Sequence, residues 1–489
     1  MVPNLHSFYC WSRAAAWLVT ASCFVVSLAA ADWDRFRGPN GSGLQQESPL
    51  PAEFGPARNV AWKIALPPGH SSPVLAGGRI YLTAFENEKL ITYCLSQKDG
   101  EIVWRREIAR TRKEEYDKRN GPASSTPVWD GKNLYVFFPD LGLVSYDAQG
   151  KERWRVPLGP FNNIYGLGVS PVVSGDKVFI VVDQSFGSHI AAFRTSDGKQ
   201  VWRKDRPEAV SGASTPIVLP QKRGPALIVA PGSFRMDAYS ADTGDVVWYV
   251  RGLASEMKSV PVLTEYDGQQ WIFLNGYNIP ENDPGKQIAI PEFADVVAKV
   301  DADKNGKISA AEAPDEPTKR NFPFIDLDKD GGMDAREWRQ YQATMSAVNA
   351  VLAIRVDAAK GDITTTNVVW RYHRAVPQLP SLLLYRDVLF MINDAGVLTT
   401  FEPKTGNVIQ QARLRGVSDR YYASPVGGDG KVYIAAHSGV VTVLEASGKH
   451  NVLAANNLEE EIFATPAIGD GRIYVRTRNT LYCFGTTHR

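Results

Sequence analysis

Two twelve-residue stretches carry the clearest chemistry in the chain. Residues 301–312 set oxygen-bearing side chains at loop positions 1, 3, 5, 9 and 12: Asp301, Asp303, Asn305, Ser309 and Glu312. Residues 326–337 repeat the spacing with Asp326, Asp328, Asp330, Asp334 and Glu337. Position 7 needs only a backbone carbonyl, which Lys307 and Gly332 supply. A hard cation such as Ca2+ takes about six to eight oxygens, and a glutamate at position 12 can give two of them. Gly306 and Gly331 stand at position 6, where the backbone must bend sharply.

Both stretches satisfy the EF-hand loop at every informative position, so two Ca2+ sites are expected. Ile308 and Met333, at position 8, predict a short β bridge between the loops. Phe293, Val296, Val297 and Val300 form an apolar stripe leading into loop one, after Pro291. Trp338, Tyr341 and Met345 form another leading out of loop two. Pro314, Pro317 and Pro323 crowd the join between the loops and predict stunted helices there, with affinity of the modest extracellular class. Loop two brings five carboxylates against three in loop one, and should bind more tightly.

What must hold these loops is a repeat. Ser214 to Trp248 reads as four short strands joined by Gly, Pro and Asp turns. Starts of the same unit are marked by a small residue and proline at Pro73, Pro127, Pro171, Pro216, Pro261, Pro380, Pro425 and Pro466. One interval, 119 residues from Pro261 to Pro380, exceeds a neighbouring interval of 45 by about 74. Unit ends are marked by glycine four residues before tryptophan: Gly100/Trp104, Gly150/Trp154, Gly198/Trp202 and Gly244/Trp248. The fifth has Gly361 and a delayed Trp370, whereas Gly406 and Gly448 are followed by Gln410 and Val452, which predicts a looser seam there. Glycine permits the positive φ of a tight turn, and tryptophan buries a large flat surface between sheets.

Eight four-stranded units of about 45 residues predict an all-β, eight-bladed β-propeller with a small α-helical EF-hand pair inserted in blade 5. The division expected is a signal peptide over 1–31, an N-terminal extension over 32–56, a first propeller part over 57–278, the calcium-binding insertion over 279–348 and a second propeller part over 349–489. Residues 59–66 read as an outer strand without its first three partners, suited to completing the last blade and fastening the ring. In blade five, 271–275 and 350–354 read as second and third strands. The insertion therefore replaces a loop on the face shared with the loops before each first strand, and should overhang one end of the central channel.

The ending Ala238-Tyr239-Ser240-Ala241-Asp242-Thr243-Gly244-Asp245-Val246-Val247-Trp248 resembles the tryptophan-docking, PQQ-like repeat of the quinoprotein alcohol dehydrogenase superfamily, over 57–486 apart from the insertion. The resemblance implies the propeller fold. It admits two activities: dehydrogenases using pyrroloquinoline quinone (PQQ), and non-catalytic scaffolds such as the propeller lipoprotein of outer-membrane barrel assembly. The start Trp33-Asp34-Arg35-Phe36-Arg37-Gly38-Pro39-Asn40 is similar to that of secreted propellers of planctomycete-type bacteria.

On the expected ligand face, loops before the first strands carry His70, Arg119, Asn120, Asn162, Asn163, Tyr165, Glu256, Lys258, Gln378, Arg420, Tyr421, Tyr422 and Glu461. Loops after the second strands add Glu86, Asp140, Asp183, Asn278, Asp394 and His437. Such groups could hold a polar ligand, but no catalytic residue can be assigned among them. Many quinone dehydrogenases of the superfamily hold their cofactor against adjacent cysteines, which this chain lacks. No nucleophile elbow, zinc motif or phosphate loop stands in their place.

The formal charge of +1 leaves no basic field for nucleic acid. Arg13, the apolar run Ala14–Ala30 and Ala29-Ala30-Ala31 read as a cleaved signal, placing the protein in the periplasm or outside the cell, with no later segment apolar enough to span a membrane. Cys94 and Cys483 occupy similar places in the first and last units and read as buried free thiols, with a bridge between them as the alternative. The reading favoured is an exported calcium-binding propeller that acts as a binding or scaffold protein for a protein or glycan ligand. The alternative is a PQQ-dependent alcohol or sugar dehydrogenase with a divergent site.

Overall fold

The computed structural model describes Met1 and residues 32–45, 48–279, 282–414 and 419–485. The signal peptide expected over 1–31, with Cys10 and Cys23, lies outside these residues apart from Met1. Strands over the remainder form eight antiparallel four-stranded sheets in sequence order, one of them extended by a fifth strand. The eighth sheet is completed by Val60–Ala65, which pairs with the last strand, Thr480–Gly485 (Trp62 opposite Cys483), so the ring is closed by the N-terminal strand.

The second strands are buried along nearly their whole length, whereas outer strands such as Ile102–Ala109 and Gln200–Asp205 bury only the docking tryptophan and half-bury alternate residues beyond it. Blades are joined by tryptophan docking. The indole rings of Trp62, Trp104, Trp154, Trp202 and Trp370 lie on Gly100, Gly150, Gly198, Gly244 and Gly406 of the next blade. A Cβ at any of these glycines would come within 2.5–2.7 Å of the ring. Each indole N–H donates to a carbonyl in that turn, as Trp154 does to Thr195 at 2.9 Å and Trp202 to Ala241 at 3.1 Å. Only glycine gives both the close approach and the positive φ, +73° at Gly198.

Three repeat markers differ from the sequence pattern. In blade six the innermost strand is Leu383–Tyr385, so Leu382 takes the place of the marker proline and Pro380 lies two residues early. Trp248 is buried at 1% exposure without a partner for its indole N–H. Blade five has a longer turn whose Gly361–Asp362 pairs in parallel with Trp248 and Tyr249 instead. At Gly448 the docking side chain is Ile409, not the residue at the tryptophan register, Gln410.

At the axis, successive blades are laced by hydroxyl groups. Ser72 N–H donates to Thr126, Thr126 N–H to Ser170, and Ser170 N–H to Thr215. Across the ring, Val260 N–H donates to Ser381, Ser381 N–H to Ser424, and Ser424 N–H to Thr465. The N-terminal extension runs along the innermost strands. Asp34 O accepts from Trp129 N–H, Asn40 exchanges two hydrogen bonds with Val218, and Leu44 bridges Gly427. Arg37 is fully buried and donates to the carbonyls of Gly41, Leu382 and Pro425; with no carboxylate beside it, burial pushes its guanidinium down to about 9. The extension thus ties blades one to four to blades six and seven.

Cys94 and Cys483 are free and buried. No helix among the described residues is long and apolar enough to cross a membrane.

Candidate functional site

The insertion leaves blade five between strands Gln269–Gly276 and Ala350–Arg355 and forms three helices. These are α1 (Phe293–Val300), α2 (Glu316–Ile325) and α3 (Ala335–Ser346). α2 runs for 10 residues although Pro323 lies inside it, near its C-terminal end. Pro317 sits in its first turn, where no N–H is lost, and Asp315 caps it by accepting from Thr318 N–H. Val296, Ile308, Ile325, Met333, Trp338, Tyr341 and Met345 close a separate small core.

Between the helices, Ile308 pairs with Met333 across a two-residue bridge. Gly306 (φ +79°) and Gly331 (φ +91°) make the bends. In loop one, carboxylate oxygens of Asp301, Asp303 and Glu312 gather within 4.8 Å of one another; in loop two those of Asp326, Asp328 and Asp330 do the same. Backbone N–H groups preset these carboxylates. Asp301 accepts from Asn305 and Gly306, and Asp326 from Asp330 and Gly331. Asn305 donates to Asp303, and Ser309 to Glu312 at 2.7 Å. Asp334 caps α3 and Glu337 returns the bond to Asp334 N–H, a full capping box. The loops differ in setting: Glu312 is half-buried, with Ser309 foremost among the donors that hold its carboxyl down at about 2, whereas Glu337 is 1% exposed and burial raises its carboxyl. The side chain of Lys307 meets Asp330, tying loop one to loop two.

The lobe reaches back from blade five over its neighbours. Arg336, on α3, donates to Ser185 O at 2.9 Å and stacks over Phe186; Gln340 donates to Glu208 O at 3.4 Å. Lys329 pairs with Glu115, and Asn278 and Asn282 both donate to Thr344 O at the end of α3. Beneath α2 and α3 lies a cavity of 260 Å³ whose far wall includes Tyr165 and Glu256.

Next to it is the channel mouth, a depression of 200 Å³ that brings together His70, Arg119, Asn120, Tyr165, Lys258 and Tyr422 from the predicted rim. Asp117, Phe463 and, from the N-terminal extension, Phe36 also line it. His70 stacks on Phe463 at 4.2 Å, and Tyr422 stacks on the same ring at 5.7 Å. Burial, then the nearby Arg476, pushes the His70 imidazole down to about 4. The charges at the mouth are paired. Arg119 donates to Asp117 at 2.6 Å; Lys258 meets Glu256, which also accepts from Tyr165 at 2.8 Å and Gln378 at 2.9 Å. Burial opposes charge on Glu256, yet Lys258 and these donors leave its carboxyl below the usual range.

Other predicted rim residues are placed differently. Tyr421 is fully buried in the core of blades six and seven. Asp183 is buried against Arg206 at 2.7 Å. Asp140 is buried and accepts from Tyr116 at 2.6 Å, anchoring the loop before blade two. Asn278 serves the root of the lobe, and Asp394 accepts from Gln378 N–H. Phe463 and Asp117 carried no signal in the sequence beyond standing in the loops before first strands.

The repeat family PQQ_2, described as "Outer membrane protein assembly factor BamB", matches residues 58–185, 143–279 and 349–487, breaking off where the lobe begins and resuming where it ends. Outer membrane protein assembly factor BamB of Alkalilimnicola ehrlichii is 25% identical over 181 residues, 37% of this chain and 42% of that protein. The namesake from Bordetella pertussis is 23% identical over 257 residues, 51% of this chain and 57% of that protein. The chain therefore spans only part of the length of these relatives.

Among solved structures, BamB from Moraxella catarrhalis superposes with a TM-score of 0.53 at 14% identity, covering 86% of this chain and 98% of that one. A quinohemoprotein alcohol dehydrogenase from Pseudomonas putida HK5 gives 0.54 at 13% identity, covering 94% and 81%. A europium-containing methanol dehydrogenase gives 0.53 at 10% identity, covering 93% and 98%. At these identities the structural likeness is one of fold. With most of its length outside the lobe matched by the repeat, the chain belongs to the BamB-type family of PQQ-like β-propeller repeats.

Proposed function

We propose that the protein is an exported, calcium-binding β-propeller that acts as a binding or scaffold protein, its EF-hand lobe shaping the ligand face. The observation that carries this reading is the unbroken path from loop two to the rim. Glu337 closes loop two, and Arg336 and Gln340 on the same helix hold the propeller. The residues fit Ca2+: Asp301, Asp303, Asn305, Lys307 O, Ser309 and Glu312 would hold one ion, and Asp326, Asp328, Asp330, Gly332 O, Asp334 and Glu337 a second. Bound there, the ion would neutralise clustered carboxylates that otherwise repel one another and would fix the N-terminus of α3.

The relatives are named as assembly factors, which supports a partner protein as ligand; a glycan is the other candidate on this face. Cleavage near residue 31 would deliver the chain to the periplasm or beyond. The quinone enzyme is the weaker reading, because PQQ carries carboxylates and the described residues of the mouth do not fit them. Arg119 and Lys258 are already bound to Asp117 and Glu256, and Cys94 and Cys483 are buried in the blades.

Titration calorimetry of the mature chain with CaCl2 tests the reading. Two equivalents are expected, with protease cleavage in the 282–348 region suppressed by calcium and restored by a chelator. Absence of calcium heat, or equal cleavage in both conditions, would defeat it.

A further inference from the structure

The cavity beneath the lobe has the make-up of a ligand site. Phe324, Ile325, Tyr341 and Met345 supply its apolar surface on the lobe side; the propeller side adds Ile164, Val210 and Phe234. Tightly packed bodies leave few voids larger than a water molecule, so an opening of 260 Å³ at this seam is not ordinary packing. Phe324 is 58% exposed, a large aromatic ring left half-bare beside the cavity.

The polar groups lining the cavity define what it would take. Its two carboxylates are occupied: Glu256 by Lys258, Tyr165 and Gln378, and Glu337 by the N–H groups of Leu327 and Asp334. Ser211 Oγ and Gln340 Oε1, both in the lining, are buried without a hydrogen-bond partner among the described residues, and the side chains of Tyr341, Thr344 and Asn321 also line the cavity. Uncharged hydrogen-bonding groups above apolar walls select an uncharged amphipathic molecule, and the flanking carboxylates disfavour an anion. The opening is a chamber between two bodies and accommodates a body the size of one or two aromatic rings.

We propose that this cavity binds a small, uncharged, ring-containing molecule bearing an N–H or O–H, and that calcium at loop two tunes its affinity. The linkage runs through α3, which carries Glu337 of loop two, Arg336 and Gln340 on the rim, and Tyr341, Thr344 and Met345 in the cavity wall. A cation that fixes one end of this helix changes the wall, and by reciprocity the ligand changes the affinity for calcium. The linkage rests on the calcium reading given above; the cavity does not.

The test uses the mature chain and N-phenyl-1-naphthylamine, an uncharged two-part aromatic dye that brightens in apolar surroundings. Saturable uptake of one equivalent is expected, tighter in CaCl2 than in chelator by roughly three- to tenfold. Val210→Trp should fill the chamber and weaken uptake by roughly tenfold or more, and Tyr341→Phe should weaken it less while preserving shape. Melting curves identify any variant that fails to fold, in which case the other decides. No saturable uptake by the folded wild type, or uptake indifferent to both substitutions, overturns the proposal. Uptake lost in the variants but unchanged by calcium, with calorimetry showing calcium bound, overturns the linkage and supports the cavity. An absence of calcium heat counts against the calcium reading and the linkage, while the two variants still decide the cavity.

Discussion

The channel mouth and the cavity beneath the lobe are neighbours on one face and share Tyr165 in their walls, but their chemistry is opposite. At the mouth, ionic groups are present and already matched: Arg119 with Asp117, Lys258 with Glu256. Under the lobe the walls are largely apolar, and Ser211 Oγ and Gln340 Oε1 lie buried in them without a hydrogen-bond partner among the described residues. Matched charges stiffen a scaffold, because separating them strands a charge in a poorly solvated site. Unmatched neutral groups above an apolar chamber leave binding capacity to be used. The mouth therefore reads as the rigid partner and the lobe as the adjustable one, with Tyr165–Glu256 as the partition.

The largest expected effect is at loop two. Asp326→Ala with Asp328→Ala should abolish its calcium binding, so calorimetry falls from two equivalents to one. Cleavage of the lobe should then become insensitive to calcium, whereas Asp301→Ala with Asp303→Ala should leave most of the protection in place. Trp202→Ala in the ring should cost about 3–5 kcal/mol in urea unfolding, because the ring and its hydrogen bond to Ala241 are both lost. Ile409→Ala, at a seam where the docking side chain is 42% exposed, should cost about 1 kcal/mol. Neither should shift calcium affinity, since both lie in the blades.

Lys258→Met should cost about 2–4 kcal/mol by leaving Glu256 buried and unpaired; Glu256→Gln added to it should recover much of the loss. The smallest effect is acid sensitivity at the mouth. Burial lowers His70 from 6.5 to about 4, so the folded state holds fewer protons than the unfolded chain in that window. The stability this confers is present above 6.5 and is lost as pH falls through about 4. His70→Gln should flatten the decline of Tm across that interval.

Much of this architecture is legible in the sequence because it is periodic. Pro73, Pro127 and their successors, and each glycine set four residues before a tryptophan, report local geometry that recurs every blade. The orphan strand at 59–66 betrays the closing of the ring by lacking its own partners. The twelve-residue loops show because their oxygen-bearing side chains recur at fixed spacing along the chain. What is not legible depends on distant pairing. Nothing local says that Arg37 will donate to Leu382 and Pro425 across the ring, or that Phe36 will line the mouth. Ile409 does the work expected of residue 410 because an aliphatic side chain can reach Gly448 from the neighbouring position. The cavity is invisible in the same way: Val210 and Tyr341 each look like ordinary core residues until the lobe folds back.

Hydrogen–deuterium exchange of α3, residues 335–346, compared in calcium and in chelator, tests the central claim most directly. Calcium that fixes loop two and seats the lobe should slow exchange along this helix and in the rim segments around Ser185 and Glu208, leaving the blades opposite unchanged. Identical exchange in the two conditions would mean that the lobe neither senses calcium nor passes its state to the propeller.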